Sequence, residues 1–231
     1  MRSATIYYAT FGSEFDFSGS ALEQALKSLP EESFADSVRR YDHAAQRWMS
    51  LLSRQILLRG LQEANIQLPP NAKWETGDNG RPYIKDCPDF NISHSGKIAV
   101  CAIASGRDRI GVDVQVEKPM GDRRLRQVLT SSEIAWVNGN PQRAALLWSR
   151  KEAVSKLLGL GMRLRYRSLE TINNQLDFEG QSFHLTTVPV GQGYQCSLAG
   201  ETPLNVSPRR YRWCTLNQLA SSLPLLSIPA K

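Results

Sequence analysis

Trp148-Ser149-Arg150-Lys151-Glu152-Ala153-Val154-Ser155-Lys156 is the stretch on which the reading of this chain turns. Its surroundings spell a helix. Asn140 is a good N-cap, Pro141 suits the first helical position, and Gly159 can end the helix. Leu146, Leu147, Ala153, Val154, Leu157 and Leu158 supply a broad apolar stripe. Trp148, Glu152 and Lys156 lie four apart and line up on one face. A Glu–Lys pair on a helix surface adds only about 0.2–0.5 kcal/mol. The pair alone therefore does not separate a site from an ordinary surface contact.

Upstream, Lys97–Ala104 and Arg109–Val116 are apolar, β-branched runs joined by Ser105–Asp108, which reads as a hairpin. Asp113 sits among valines in Ile110-Gly-Val-Asp-Val-Gln-Val116. A strand alternates its faces, so Asp113 reads either as an outward residue or as a buried one with a purpose. Two carboxylates brought together repel unless a cation lies between them. Asp113 and Glu152 are such a pair, and magnesium suits an all-oxygen site that leaves room for water and phosphate. Phe90–Gly96 is polar and turn-prone, and its Ser93-His94 offers a hydroxyl and an imidazole to a phosphate.

Further out, Thr5–Thr10 reads as a strand. Ala21, Leu22, Ala25, Leu26 and Leu29 have helical spacing, and residues 31–40 break it. A long helix runs from about Asp42 to Ala64, with Trp48, Leu51, Leu52, Ile56, Leu57 and Leu61 facing the core and Arg47, Arg54 and Arg59 read as solvated. Asn65–Trp74 and Gly77–Tyr83 are loop and turn. Ser131-Ser132-Glu133 opens a short helix. Strand signals follow at 167–172, 175–178, 182–188 and 194–199, with turns at Gly180 and Gly191–Gly193. The end, with Pro224 and Pro229, is expected to fray. Trp48…Leu57-Leu58-Arg59-Gly60 is faintly echoed by Trp148…Leu157-Leu158-Gly159, a hint of two halves meeting near 104–108.

Composition sets the frame. The 231 residues are 41% hydrophobic and carry a net charge of +6, which suits a globular protein with acidic partners. No helix-turn-helix, RNP or zinc pattern accompanies the charge, so nucleic acid is not an expected partner. The four cysteines, Cys87, Cys101, Cys196 and Cys214, form no CxxC pair. Cys101 reads as a core residue, and the set favours a reducing, cytoplasmic setting. The N-terminus lacks a signal-peptide-like apolar segment, and no run approaches the roughly 20 apolar residues that span a bilayer.

Taken together, Gly80-Arg-Pro-Tyr83, Asn91-Ile-Ser-His-Ser95, Gly111-Val-Asp113 and Trp148-x-x-Lys-Glu-Ala-x-x-Lys156 resemble the Sfp-type 4'-phosphopantetheinyl transferases. That resemblance implies an α+β, pseudo-twofold fold of two similar halves, each with a small antiparallel sheet and a long helix. Here the halves would be residues 1–105, on the coenzyme A side, and 106–231, with the magnesium and catalytic motifs. It implies a monomer that moves the phosphopantetheine arm of coenzyme A to a serine of an apo acyl or peptidyl carrier protein. Adenosine 3',5'-bisphosphate is released, and magnesium is required. By position, Asp113 and Glu152 are the implied magnesium ligands, with Glu152 also the base and Lys156 on the leaving phosphate. Ser93, His94, Arg81 and, more loosely, Arg47 are the implied coenzyme A contacts. Glu133 matches a recurrent, partly structural glutamate. Arg123, Arg124 and Arg126 are placed to meet an acidic carrier helix. A non-catalytic relative and a generic magnesium phosphohydrolase are the competing readings.

One position departs from the pattern. Gln115 stands where many bacterial members carry a third acid, which removes one negative charge and implies weaker magnesium binding. Gln115→Glu is expected to lower the magnesium concentration that half-saturates activity. An unchanged requirement in a magnesium titration counts against Gln115 as the weak third ligand.

Overall fold

The computed structural model describes residues 2–13, 15–77, 79–106 and 108–213. Cys214 and the proline-containing end lie outside the described residues. In chain order the elements are β1 (Ser3–Phe11), α1 (Gly19–Leu26), α2 (Glu32–Arg39), α3 (Ala44–Glu63), β2 (Glu75–Thr76), β3 (Pro82–Tyr83), β4 (Phe90–Ser95) and β5 (Ile98–Ala104). Then come β6 (Ile110–Val116), α4 (Asp122–Val128), α5 (Ser131–Val137), α6 (Pro141–Leu158), β7 (Gln175–Phe178), β8 (Gln181–Val188), β9 (Tyr194–Gly200) and β10 (Asn205–Trp213).

Two four-stranded sheets result, in the orders β10-β1-β5-β4 and β6-β9-β8-β7. The first is antiparallel except that β10 runs parallel to β1, so a strand from the end of the described chain completes the N-terminal sheet. The second is antiparallel throughout. A long helix lies on each: α3 on β5, β1 and β4, and α6 on β6 and β9. The opposed faces of the two sheets share a core of Ile6, Val100, Ala102, Ile110, Val112, Val114, Cys196 and Leu198.

That double burial explains why β5 shows no polar alternation: every one of its residues is buried. It also corrects the hairpin. β5 pairs with β1 and β4, whereas β6 pairs with β9, so adjacent apolar runs belong to different sheets. Phe90–Ser95 is likewise a strand rather than a turn. Alternate side chains of β4, with Asp89 just before it, accept from amides of β6: Asp89 from Ile110, Asn91 from Val112, Ser93 from Val114 and Ser95 from Val116.

Other expectations fare differently. α3 and α6 form where the periodicity places them, and α6 is capped by Asn140, with Pro141 first and Gly159 left-handed at its end. Cys101 is fully buried. Residues 32–39 are helical although only Phe34, Ala35 and Val38 mark the core face; Glu31 caps them. Residues 167–172 are not a strand. A 3-10 turn at Tyr166–Ser168 leads into extended chain there. The carbonyls of Tyr166 and Leu169 are taken by the Lys151 amine, and the Thr171 amide donates to Glu133. Buried side chains thus do what a strand partner would do.

Gly111 sets the spacing of β6 and α6. A Cβ there would lie 2.0 Å from the Ala153 carbonyl oxygen and 2.6 Å from the Leu157 nitrogen. Both are helix backbone, which cannot yield without moving α6. Gly111→Ala is expected to lose about 1–3 kcal/mol or more, read as a lower urea midpoint. An unchanged midpoint would contradict this close approach.

Candidate active site

The site follows from strand alternation. On β6, Ile110, Val112 and Val114 point into the shared core, so Gly111, Asp113 and Gln115 face the other way. The missing side chain at Gly111 lets α6 in, and α6 brings Glu152 and Lys156 alongside Asp113. β4 brings Ser93 from the N-terminal sheet. These groups line a cleft of about 400 Å³, together with His94, Gln115, Arg54, Arg124 and Trp148. A second hollow of about 310 Å³ adjoins it and shares Tyr41, Arg54, Glu152 and Lys156. The two form one trough along the seam between the sheets.

Asp113 is buried, which removes the outward-facing reading. Its Oδ1 accepts from Ser93 Oγ at 2.7 Å and from Lys156 Nζ at 2.7 Å. Its Oδ2 accepts from Gln115 Nε2 at 2.7 Å. Lys156 also donates to the Val112 carbonyl at 3.1 Å. Burial, and then the Asp113 charge, push the Glu152 carboxyl above the usual carboxylate range, against the opposing pull of Lys156, Tyr166 and Arg124. Burial, followed by Lys156 and Arg54, holds His94 below the ordinary imidazole value, which favours the neutral ring. Glu117 turns away to accept from Gln195 Nε2.

Two implied coenzyme A contacts take other positions. Arg81 is used as a clamp: it donates to Asp89 at 2.6 Å, to the Phe90 and Ile110 carbonyls, and to the Lys156 carbonyl. It therefore ties β4, β6 and α6 together at the wall of the trough. Arg47 lines neither hollow, and its Nε donates to the Tyr41 carbonyl at 2.6 Å.

Two residues escaped the sequence reading. Arg54 is not solvated; it is 1% exposed and lies beneath both hollows. Its acceptors are all neutral, namely Ser37 Oγ and O and Ser50 Oγ and O, and its guanidinium sits 4.2 Å from the centre of the Trp74 ring. Burial draws its pKa down to about 9, so it remains charged near neutrality. The signal was weak, because α3 is packed on nearly all sides and its periodicity cannot isolate one arginine. Tyr166 is the other: its hydroxyl donates to Glu152 Oε1 at 2.9 Å. It is brought there by the reversal after Gly159 and Gly161, both at positive φ.

Behind α6, Lys151 pairs with Glu133 at 2.7 Å with both side chains fully buried. Glu133 also closes a capping box with Thr130 and accepts from Thr171. It is thus a structural residue, which agrees with the role implied for it.

A trough at a seam, with carboxylates, a hydroxyl, an imidazole and several cationic side chains, is the equipment of an enzyme that handles a phosphorylated ligand. Residues 109–199, which run from the start of β6 into β9, match the sequence model of the 4'-phosphopantetheinyl transferase superfamily. The chain is 27% identical over 186 residues to the 4'-phosphopantetheinyl transferase Sfp of Bacillus subtilis, covering 73% of this chain and 80% of that one. It is 25% identical over 170 residues to the transferase gsp of Aneurinibacillus migulanus, covering 68% and 70%. A holo-[acyl-carrier-protein] synthase of Roseiflexus castenholzii matches at 36% over 63 residues, 26% of this chain and 46% of that protein. Over residues 109–199 the chain is thus similar to the 4'-phosphopantetheinyl transferase superfamily, and over most of its length it is similar to Sfp-type members.

Because burial and Asp113 raise the folded pKa of Glu152, ionising it weakens the fold. The deficit is present at neutral pH and disappears as pH falls through the folded pKa. Glu152→Gln is therefore expected to melt higher than the natural protein at about pH 8 in metal-free buffer. The gap should close toward about pH 4. Scanning calorimetry at both pH values checks this, and an equal gap at both contradicts it.

Proposed function

We propose that this chain transfers the 4'-phosphopantetheine arm from coenzyme A to a serine of an apo acyl or peptidyl carrier protein. The observation that carries the reading is the meeting, in one trough, of Ser93, His94, Asp113, Glu152 and Lys156. These come from three separate motifs, in a chain whose residues 109–199 match the model of this superfamily.

The reaction makes a bond from the serine oxygen to the phosphorus that bears the pantetheine. It breaks the bond from that phosphorus to the adenosine 3',5'-bisphosphate oxygen. Glu152, with its carboxyl tuned upward, accepts the serine proton directly or through water. Lys156 contacts the phosphate and meets the charge that forms on the leaving group. The neutral His94 ring donates to a phosphate oxygen, Ser93 would do so by turning its O–H from Asp113, and the buried charge of Arg54 favours an anion above it. The adjoining hollow leaves room for the rest of an extended ligand.

A magnesium ion fits the donor set. Among the described residues no cluster of three or more His, Cys, Asp and Glu side chains gathers, yet magnesium needs only one or two carboxylates beside water and phosphate. Asp113 and Glu152 would hold it. Gln115 would be a third ligand only with its amide turned over, since Nε2 now faces Asp113. When bound, the ion neutralises pyrophosphate charge.

Arg123, Arg124 and Arg126 lie on the exposed helix α4 beside the trough, with Arg124 stacked 4.7 Å from the centre of the Trp148 ring. They form a docking edge for an acidic carrier. Incubation with coenzyme A, magnesium and a panel of apo carrier proteins should add one phosphopantetheine to at least one carrier by intact mass. Glu152→Ala should abolish the gain. Arg123→Glu with Arg126→Glu should raise KM for the carrier and leave KM for coenzyme A unchanged. No gain on any carrier defeats the transferase reading, and an unaltered carrier KM defeats the docking edge.

A further inference from the structure

Tyr166 lines the trough, and the reaction above gives it no task. It is buried, and three independent contacts fix it. Its hydroxyl lies 2.9 Å from Glu152 Oε1. Its ring packs tilted against Trp148, with centroids 5.6 Å apart. Its backbone carbonyl accepts from Lys151 Nζ at 2.8 Å, and Lys151 is itself held by Glu133. A residue pinned at ring, backbone and hydroxyl presents its O–H in one direction.

Glu152, by contrast, has a flexible side chain on a helix face, with three torsions to settle. A single donor on Oε1 selects among its rotamers and leaves Oε2 for other partners. We propose that Tyr166 is a positioning residue: it holds Glu152 by one oxygen so that the other faces the trough where the carrier serine arrives. The inference rests on the transferase reading of Glu152. Burial and the Glu152 charge keep the phenol protonated, so it acts as donor throughout. This also gives the buried Lys151–Glu133 pair a consequence at the site. The pair fixes the turn that carries Tyr166, two contacts away from the reacting groups.

The test is Tyr166→Phe, which keeps the ring against Trp148 and removes only the donor. The expected result is a fall in kcat of about 10-fold or more, the range for losing an outer hydrogen bond to a functional ligand. KM for coenzyme A should stay within about twofold. Glu152→Asp withdraws the carboxylate from the phenol, and in that background Tyr166→Phe should change kcat by less than about twofold. A natural kcat in Tyr166→Phe overturns the proposal. So does an equal loss in both backgrounds, because the tyrosine then acts through something other than Glu152.

A measurement without turnover completes the test. In protein labelled with 13C-glutamate, the Glu152 carboxyl signal, identified by its loss in Glu152→Gln, should shift in Tyr166→Phe at a pH where it is ionised. An unmoved signal overturns the proposal whatever the activity. A natural protein that modifies no carrier defeats the transferase reading separately.

Discussion

The rest of the structure depends on a ladder of side-chain oxygens between two strands that are not backbone partners. Asp89, Asn91, Ser93 and Ser95 on and beside β4 each accept from an amide of β6: Ile110, Val112, Val114 and Val116. Both strands repeat every second residue, so the contacts repeat in phase. A slip of one residue would turn the oxygens away and leave buried amides unpaired, at about 1–3 kcal/mol each. The two sheets are therefore docked in one register. In that register Ser93 reaches Asp113, and the trough opens at the seam. Arg81 reinforces it by binding β4, β6 and the end of α6 at once.

The second constraint is the distance of α6 from β6. Without a side chain at Gly111 the helix backbone comes close enough for Lys156 to reach Asp113. The other side of α6 carries buried charge. A buried ion pair is weak evidence of stability, because desolvation offsets much of the attraction. Lys151 and Glu133 do something else. They supply donors and acceptors to a turn that has no sheet or helix partner, and so give an irregular segment one conformation. Arg54 is a different case, a buried cation with neutral acceptors, suited to a ligand that brings its own negative charge.

Much of the site could be read in advance because its motifs are local. Asp113, Glu152, Lys156, Ser93 and His94 were named from short patterns, and all line one cleft. α3, α6 and the strands β7 to β9 were legible from periodicity and turn residues. The mistakes have a common source. β4 looked like a turn because its polar residues serve another strand's amides. β5 and β6 looked like a hairpin because both are buried on two faces, which erases alternation. β10 was passed over because an Arg-rich edge strand resembles loop.

From the sequence alone came the two long helices and, through the resemblance that short motifs carry, the α+β class and the candidate site residues, because helix caps, apolar periodicity and short motifs act within a few residues. Only the tertiary structure decided how those residues meet. It made Arg81 a clamp, buried Arg54 beneath the trough and set Tyr166 on Glu152. Each of those depends on a contact between segments far apart in the chain, and such contacts are chosen by burial and by hydrogen-bond satisfaction across the whole fold, which no local pattern records.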